Sequence, residues 1–395
     1  MRHIFSHHIL VLFAFILLLA SCHKKEEEPI NFDRTVIVYM MAENSLSSYT
    51  QGDINELTLA TDSIPANCRL VVYYDGSENF QPCLYEVKDQ QTVTIKTYTE
   101  QNSCDGNVFQ TVLRDISKEY PSDSYSLVMW SHGSGWIPGK NTYPNQAPHK
   151  SIGVDNGQNS GSNTGAEMDI PVMRQSIEQS GLHFDCILFD ACFMQTVEVA
   201  YELRHCADYI IGSPAEIPAY GAPYHRIMTD FFRKNPYQSA EGIANHYFDY
   251  YKNRDGLVIS VVKTSELENL AKATSSCLPE PEDIDSFSGV QKYCPWSGHS
   301  NWFPDFSDMA SIMNQALDSN TYTTWESQMK KTIPVRLCTK TWVSEYSYYS
   351  VFLPSITDEQ HFAGMSMFLP SVKYEPYGYN TTISQTQWWQ AVFGK

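Results

Sequence analysis

The sequence predicts an α/β sandwich with a largely parallel central sheet and a C-terminal extension. Three observations carry this fold class. Strand-like and helix-like stretches alternate through the first 265 residues, the pattern of repeated strand-helix units. Most of the strand-like runs are continuously apolar, as strands covered on both faces are. The chain has 395 residues and is 42% hydrophobic, enough for a sizeable core.

Taken in order, the chain opens with "MRHIFSHHILVLFAFILLLASC", a weakly basic start, an apolar core and small residues before Cys22. This reads as a secretion signal over 1–21 and not as a membrane span. Leu19-Ala20-Ser21-Cys22 resembles a bacterial lipobox, which makes Cys22 the expected lipidation site and the outer membrane the expected location, facing the cell surface or the periplasm. Residues 22–33, "CHKKEEEPINFD", are too charged to bury and form an acidic tether. A lysine followed by acidic residues behind such a cysteine also resembles the surface-export signal of Bacteroidetes lipoproteins; a plain spacer is the alternative.

Buried strands are expected at 35–41 ("TVIVYMM"), 68–75 ("CRLVVYYD"), 125–132 ("YSLVMWSH"), 184–192 ("FDCILFDAC"), 208–213 ("DYIIGS") and 257–262 ("LVISVV"). Helices are expected near 44–61, 107–119, 169–180, 194–205 and 238–253. The run 83–100 alternates, with a polar middle, and predicts a hairpin appended to the sheet. Residues 137–167 are rich in Gly, Asn, Ser and Pro and predict a long exposed loop, of the kind that is usually functional or disordered. The core thus spans 34–270. After 270 the texture changes, and 271–395 predicts a C-terminal subdomain with one helix near 308–318, a strand-like "VRLCTKTW" and the apolar "GMSMFLP".

The net charge of −18 excludes a nucleic-acid binder, which needs a basic face. The ten cysteines include no C-x-x-C pair and no Cys/His cluster at zinc spacing, so no metal site and no cofactor is assigned. In an exported chain some of them can pair as disulfides, which sequence does not resolve.

His132 and Cys192 stand out because each ends a predicted parallel strand, the sheet edge where reacting groups collect in open α/β folds. A cysteine needs only a nearby imidazole to take its proton. Gly133 lets the chain turn sharply, and its N–H with that of Cys192 suits a tetrahedral oxyanion. Against this stand the ordinary readings, a buried cysteine as a small hydrophobe and a strand-end histidine as a polar cap. "HGSG" also resembles an esterase oxyanion loop, but no G-x-S-x-G elbow follows it. A non-catalytic surface lipoprotein binding glycans or proteins is a further alternative, suggested by the 13% aromatic content and the "NWFPDF" patch.

"WSHGSGW" (130–136) together with "FDACFMQTVEVAYELRHCADYIIGSPAEIPAYGAPY" (189–224) resembles the clostripain family of cysteine peptidases, of the caspase-like fold of clan CD. The likeness runs from "TVIVYMMAEN" at 35 to "FAGMSMFLP" at 362–370, almost the whole mature chain. It implies a cysteine endopeptidase acting on protein or peptide substrates, with a caspase-like core over 34–270 and a dyad on His132 and Cys192. It puts Asp190 in the pocket for the residue before the cleaved bond and implies cleavage after Arg or Lys. A second acidic residue belongs near position 220, where this chain has Tyr220, with Glu216 four residues earlier. If Glu216 reaches the pocket it substitutes; if Tyr220 fills the floor, a smaller uncharged residue fits. The resemblance also implies cleavage within 137–167 on activation, with Lys140 and Lys150 as candidate sites. Some relatives use calcium, although no D-x-D-x-D-G loop is present here.

Overall fold

The runs at 34–42 and 68–76 are buried along almost their whole length, on both faces of the pleat, so layers must cover the sheet on either side. The structure, a computed structural model, describes residues 31–76, 81–139, 151–157, 165–278, 280–294, 303–344, 348–351 and 362–394. Its strands include β1 (Arg34–Ala42), β2 (Cys68–Gly76), β3 (Cys83–Lys88), β4 (Gln91–Thr97), β5 (Tyr125–Trp130), β6 (Ile152–Asp155), β7 (Ala166–Met168), β8 (Phe184–Asp190), β9 (Ala207–Gly212), β10 (Val258–Lys263) and β11 (Val335–Cys338). Nine of these form one sheet in the order β11-β10-β9-β8-β5-β1-β2-β3-β4. The five central strands, β9 through β2, are parallel. The outer ones are antiparallel, including β10, whose apolar sequence reads like its parallel neighbours. β3 and β4 form the expected hairpin, closed by Asp89 and Gln90 at φ 51° and 58°, both in the left-handed region that a tight two-residue turn requires.

The first helices are α1 (Thr50–Leu59), α2 (Gly106–Glu119), α3 (Ile170–Ser180), α4 (Val197–Glu202), α5 (Tyr224–Phe231), α6 (Pro236–Tyr251) and α7 (Leu267–Cys277). Alternation along each strand sorts them into two layers. Ile37, Tyr39 and Met41 face a core completed by α2, α3, α4 and α7. Val36, Val38 and Met40 face the opposite core, completed by α1, α5 and α6. The start of α2 shows how the ends are set: the Asp105 carboxylate accepts from the Asn107 and Val108 N–H groups at 2.8 and 3.2 Å, satisfying amides that have no partner within the helix.

The residues after 270 contribute to the same compact unit, Phe32–Lys395. They supply β11 to the sheet edge, and α8 (Met309–Ala316) and α9 (Ser319–Thr332) to the first core. "GMSMFLP" forms no strand ladder. It is buried and threads behind the sheet edge, where Ser366 pairs with Thr196 on one side and Asp308 on the other. The Asp308 carboxylate accepts from Tyr293 O–H at 2.6 Å and from the N–H groups of Ala363 and Gly364. Burial pushes this carboxyl up to about 6.

The expectation of an exposed loop over 137–167 is corrected for its described parts. Ile137, Ile152 and Val154 are fully buried, and β6 pairs antiparallel with β7. Three apolar side chains scattered among Gly, Asn and Ser carry no period, yet they suffice to dock the segment. The remainder of that stretch, with Lys140 and Lys150, lies outside the described residues, as does Cys22.

Candidate active site

Parallel pairing puts Trp130 of β5 directly opposite Asp190 of β8. His132 and Cys192 each follow two residues later. Adjacent strands are about 4.8 Å apart, so the two side chains leave the same edge of the sheet as neighbours. This edge lies beside the point where strand order reverses, between β1 and β5, the place where open α/β sheets form a crevice.

Gly133 locks the two segments together. A β-carbon there would lie 2.7 Å from the Cys192 carbonyl oxygen and 2.7 Å from Met194 Sδ, so only glycine permits this approach. On its other side Gly133 faces Ile152. The bonds of that short ladder flank it: Gly153 N–H donates to His132 O at 2.9 Å, and Ser134 N–H donates to Ser151 O at 3.2 Å. Gly133 is therefore the member of a non-hydrogen-bonded pair, and its own N–H is not used by the ladder.

The His132 ring is held by a residue that sequence spacing does not reveal. Ser45 Oγ lies 2.9 Å from His132 Nε2. Ser45 is placed by Asn44, whose buried amide donates to Met41 O at 2.8 Å and Val154 O at 2.9 Å. A hydroxyl bonded to one ring nitrogen holds the ring's orientation.

Cys192 is half-buried. The Ile217 N–H points at its sulfur, 3.5 Å away, a donor that a thiolate accepts more strongly than a thiol. The next residue, Phe193, has φ 60°, unusual for a bulky side chain. The surroundings hold it there: Phe193 N–H donates to Ala215 O at 3.0 Å, and its ring stacks on Phe306 at 4.7 Å and meets Phe303 at 5.5 Å. Behind it, the bond from Val197 N–H to Ser366 O ties the turn to the C-terminal segment. The aromatic patch read as a glycan platform thus supplies Phe303 and Phe306 to the core, both buried; Asn301 and Trp302 lie outside the described residues.

Most of the other described thiols differ from Cys192. Cys68, Cys83, Cys104, Cys186, Cys206 and Cys294 are buried. Burial pushes Cys186 up to about 11 and Cys206 up to about 12, which keeps them protonated and inert. Cys277 is half-buried but donates to its own helix at Ala273 O, 3.1 Å away.

Asp190 lies at the base of the site and is 3% exposed. Its carboxylate accepts from Tyr224 O–H at 2.7 Å, Ala222 N–H at 3.0 Å and Tyr247 O–H at 3.2 Å. Burial raises its pKa above the ordinary carboxylate value, against those three bonds. Its neighbour Asp53, bonded to Trp130 Nε1 at 2.8 Å, is pushed up to about 8, first by burial and then by the charge of Asp190. Gly221, at φ 66°, covers Asp190: a β-carbon there would sit 2.8 Å from the carboxylate. Tyr220 does not fill a pocket floor. It is 71% exposed and meets Tyr49 edge-on at 5.5 Å. Glu216 is half-buried and directly precedes Ile217, whose N–H faces the cysteine. His132, Gly133, Asp190, Cys192 and Glu216 thus lie on segments brought to one corner.

Comparison with known proteins covers most of the chain. The profile of the clostripain family matches residues 38–392. Clostripain of Hathewaya histolytica is 26% identical over 224 residues, 49% of this chain and 41% of the relative, so the match spans less than half the length of that relative. A secreted C11 cysteine protease from Bacteroides thetaiotaomicron, solved with an irreversible peptide inhibitor, is 29% identical with a TM-score of 0.75, covering 92% of this chain and 100% of the other. An inactive zymogen C11 protease from Parabacteroides distasonis is also 29% identical with a TM-score of 0.75, covering 93% of this chain and 99% of the other.

Proposed function

Because the chain belongs to the clostripain family of cysteine peptidases, we propose that it is an endopeptidase in which Cys192 attacks the scissile carbonyl and His132 carries the proton. His132 takes the proton of the Cys192 thiol, and the thiolate adds to the carbonyl carbon. The resulting oxyanion is met by the N–H groups of Gly133 and Cys192. Collapse of the tetrahedral intermediate expels the amine, which receives the proton from His132, and water then releases the acyl group by the same route. Ser45 holds the imidazole for both transfers. One observation supports this reading: the Trp130–Asp190 register, with Gly133 packed on the Cys192 carbonyl, brings the chain segments that carry His132 and Cys192 together at the sheet edge. Turnover of a mixed peptide library by the wild type and its loss in Cys192→Ala test it; a Cys192→Ala protein as active as wild type refutes it.

The preferred substrate carries Arg or Lys before the cleaved bond. Asp190 under Gly221 and Glu216 beside Ile217 give the corner negative charge, which offsets the hydration lost by an entering cation. Tyr220, 71% exposed, stands outward beside Tyr49.

The enzyme is made as a precursor, processed within 137–167 at Lys140 or Lys150. The zymogen state of the Parabacteroides relative supports this, and a fully active preparation that runs as a single intact chain opposes it. The lipobox-like sequence before Cys22 further supports export and a lipid anchor in the outer membrane. No described helix is long and apolar enough to cross a membrane.

A further inference from the structure

Four large apolar side chains are strongly exposed among the described residues: Leu59, Val172, Tyr220 and Val372. Of these, only Tyr220 follows within a few residues a group that meets the dyad, the Ile217 N–H. A lone apolar residue on a surface is ordinary. An aromatic ring held out beside a nucleophile has a place to act.

Two segments meet the dyad from outside, and an aromatic pair joins them. After β1 the chain gives Ser45 to the His132 ring and then turns twice, with Ser47 N–H donating to Asn44 O at 3.0 Å and Tyr49 N–H to Leu46 O at 2.9 Å. After β9 it brings the Ile217 N–H to the Cys192 sulfur and turns again, with Gly221 N–H donating to Pro218 O at 2.9 Å. Tyr220 is the third residue of that turn, and its ring lies 5.5 Å from that of Tyr49 at 88° to it. Leu46, Tyr49 and Ile217 pack on the core that α1, α5 and α6 complete, which anchors both turns, whereas Tyr220 is left in solvent. An edge-to-face contact of this kind favours one orientation of the exposed ring. A ring set in advance loses little conformational freedom when a ligand settles on it.

The position of the ring identifies that ligand as the substrate itself. The Ile217 N–H is 3.5 Å from Cys192 Sγ, and the three residues from Ile217 to Tyr220 span at most about 11 Å. A peptide whose carbonyl lies at the sulfur therefore passes within reach of the tyrosine. Tyr220 directly precedes Gly221, which covers Asp190, so it borders the corner that takes the residue before the cleaved bond. Alternate side chains of an extended peptide share a face and are about 6.6 Å apart. The next one on that face belongs to the third residue before the cleaved bond.

We propose that Tyr220, backed by Tyr49, forms a second specificity subsite that receives an aromatic or large aliphatic side chain at the third residue before the cleaved bond. This inference rests on the reading of Cys192 as the nucleophile of a peptidase. An apolar side chain laid on the ring takes surface of both out of water, and an aromatic one adds an offset-stacked or edge contact. The tyrosine at 220 thus has a use of its own, where the family resemblance implies an acidic residue.

The test is a fluorogenic peptide series in which the residue before the cleaved bond is fixed as the one the wild type cleaves best after. The second and third residues before the bond are each varied in turn among Phe, Leu, Gly and Asp. The full-length wild type, Tyr220→Ala, Tyr220→Phe and Tyr49→Ala are compared, each titrated with an irreversible peptide electrophile so that a poorly folded fraction does not alter the ratios. At the third position the wild type should cleave the Phe and Leu peptides with kcat/KM at least about fivefold above the Gly peptide. Tyr220→Ala should bring that ratio to within about twofold of one, chiefly through KM. Tyr220→Phe keeps the ring and should keep the ratio, and Tyr49→Ala should lower it. The inference is overturned if the wild type shows no such preference, if the preference lies at the second residue instead, or if Tyr220→Ala slows all the peptides by one common factor and leaves the ratio intact. Failure of the underlying reading is distinguishable: Cys192→Ala would then cleave the series as the wild type does, which overturns both.

Discussion

Replacing Gly133 with alanine adds a single methyl group, and the structure places its carbon 2.7 Å from both the Cys192 carbonyl oxygen and Met194 Sδ. A carbon approaches a carbonyl oxygen without strain at about 3.3 Å or more, so the strand ends must separate by roughly 0.6 Å. The Met194 side chain can rotate away, but the Cys192 carbonyl is backbone and cannot. A displacement of about 1 Å in a reacting pair costs on the order of 100-fold in rate. A loss of kcat/KM of roughly 10- to 100-fold is therefore expected, accompanied by about 1–3 kcal/mol of destabilisation from overpacking. The assay is cleavage of a fluorogenic peptide library, together with denaturant unfolding to show that the variant remains folded. A folded Gly133→Ala protein with wild-type kcat/KM would mean that the approach of the two segments is not what sets up the reaction.

Three further outcomes are expected. In a fluorogenic series that varies only the residue before the cleaved bond, Arg and Lys substrates should be cleaved fastest; Ala, Leu or Asp substrates turned over equally well would remove the case for a basic preference. Asp53 is protonated in the folded protein up to about pH 8 but ionised in the unfolded chain above its ordinary value, so the unfolded state binds fewer protons and its stability contribution falls as pH rises from about 4 to about 8. Asp53→Asn keeps an acceptor for Trp130 and should flatten the pH dependence of unfolding free energy by up to about 1.4 kcal/mol per pH unit across that window; an unchanged slope contradicts the assignment. Cys22→Ser should move the protein out of the membrane fraction, and recovery with the membranes at the wild-type level speaks against a lipid anchor.

The sheet was legible because burial on both faces leaves a direct mark: "VIVYMM" and "CILF" are unbroken apolar runs. The ends of β5 and β8 were legible for the same reason, and they put His132 and Cys192 on one edge. The direction of β10 was not, since an apolar run looks the same whichever way it is traversed, and only the connection through α5 and α6 decides it. The supports of the site were hidden as well. Ser45 reaches His132 across 87 positions and Ile217 reaches Cys192 across 25, and neither serine nor isoleucine announces such a role locally. Asp190 precedes Cys192 by two residues in the sequence itself, but its burial depends on Tyr224 and Tyr247, which reach it from α5 and α6. Tyr220 was recognised as a departure, yet only the fold shows that its ring stands outward beside Tyr49.

The central claim is that Cys192 is the nucleophile and that His132 activates it. An irreversible electrophile on a peptide ending in a basic residue, followed by proteolysis and mass spectrometry, tests this in one measurement. The account predicts a single stoichiometric adduct on Cys192 in the wild type, with labelling slowed at least about 100-fold in His132→Ala. An adduct on any other cysteine, or labelling of Cys192 at the wild-type rate in His132→Ala, would contradict it.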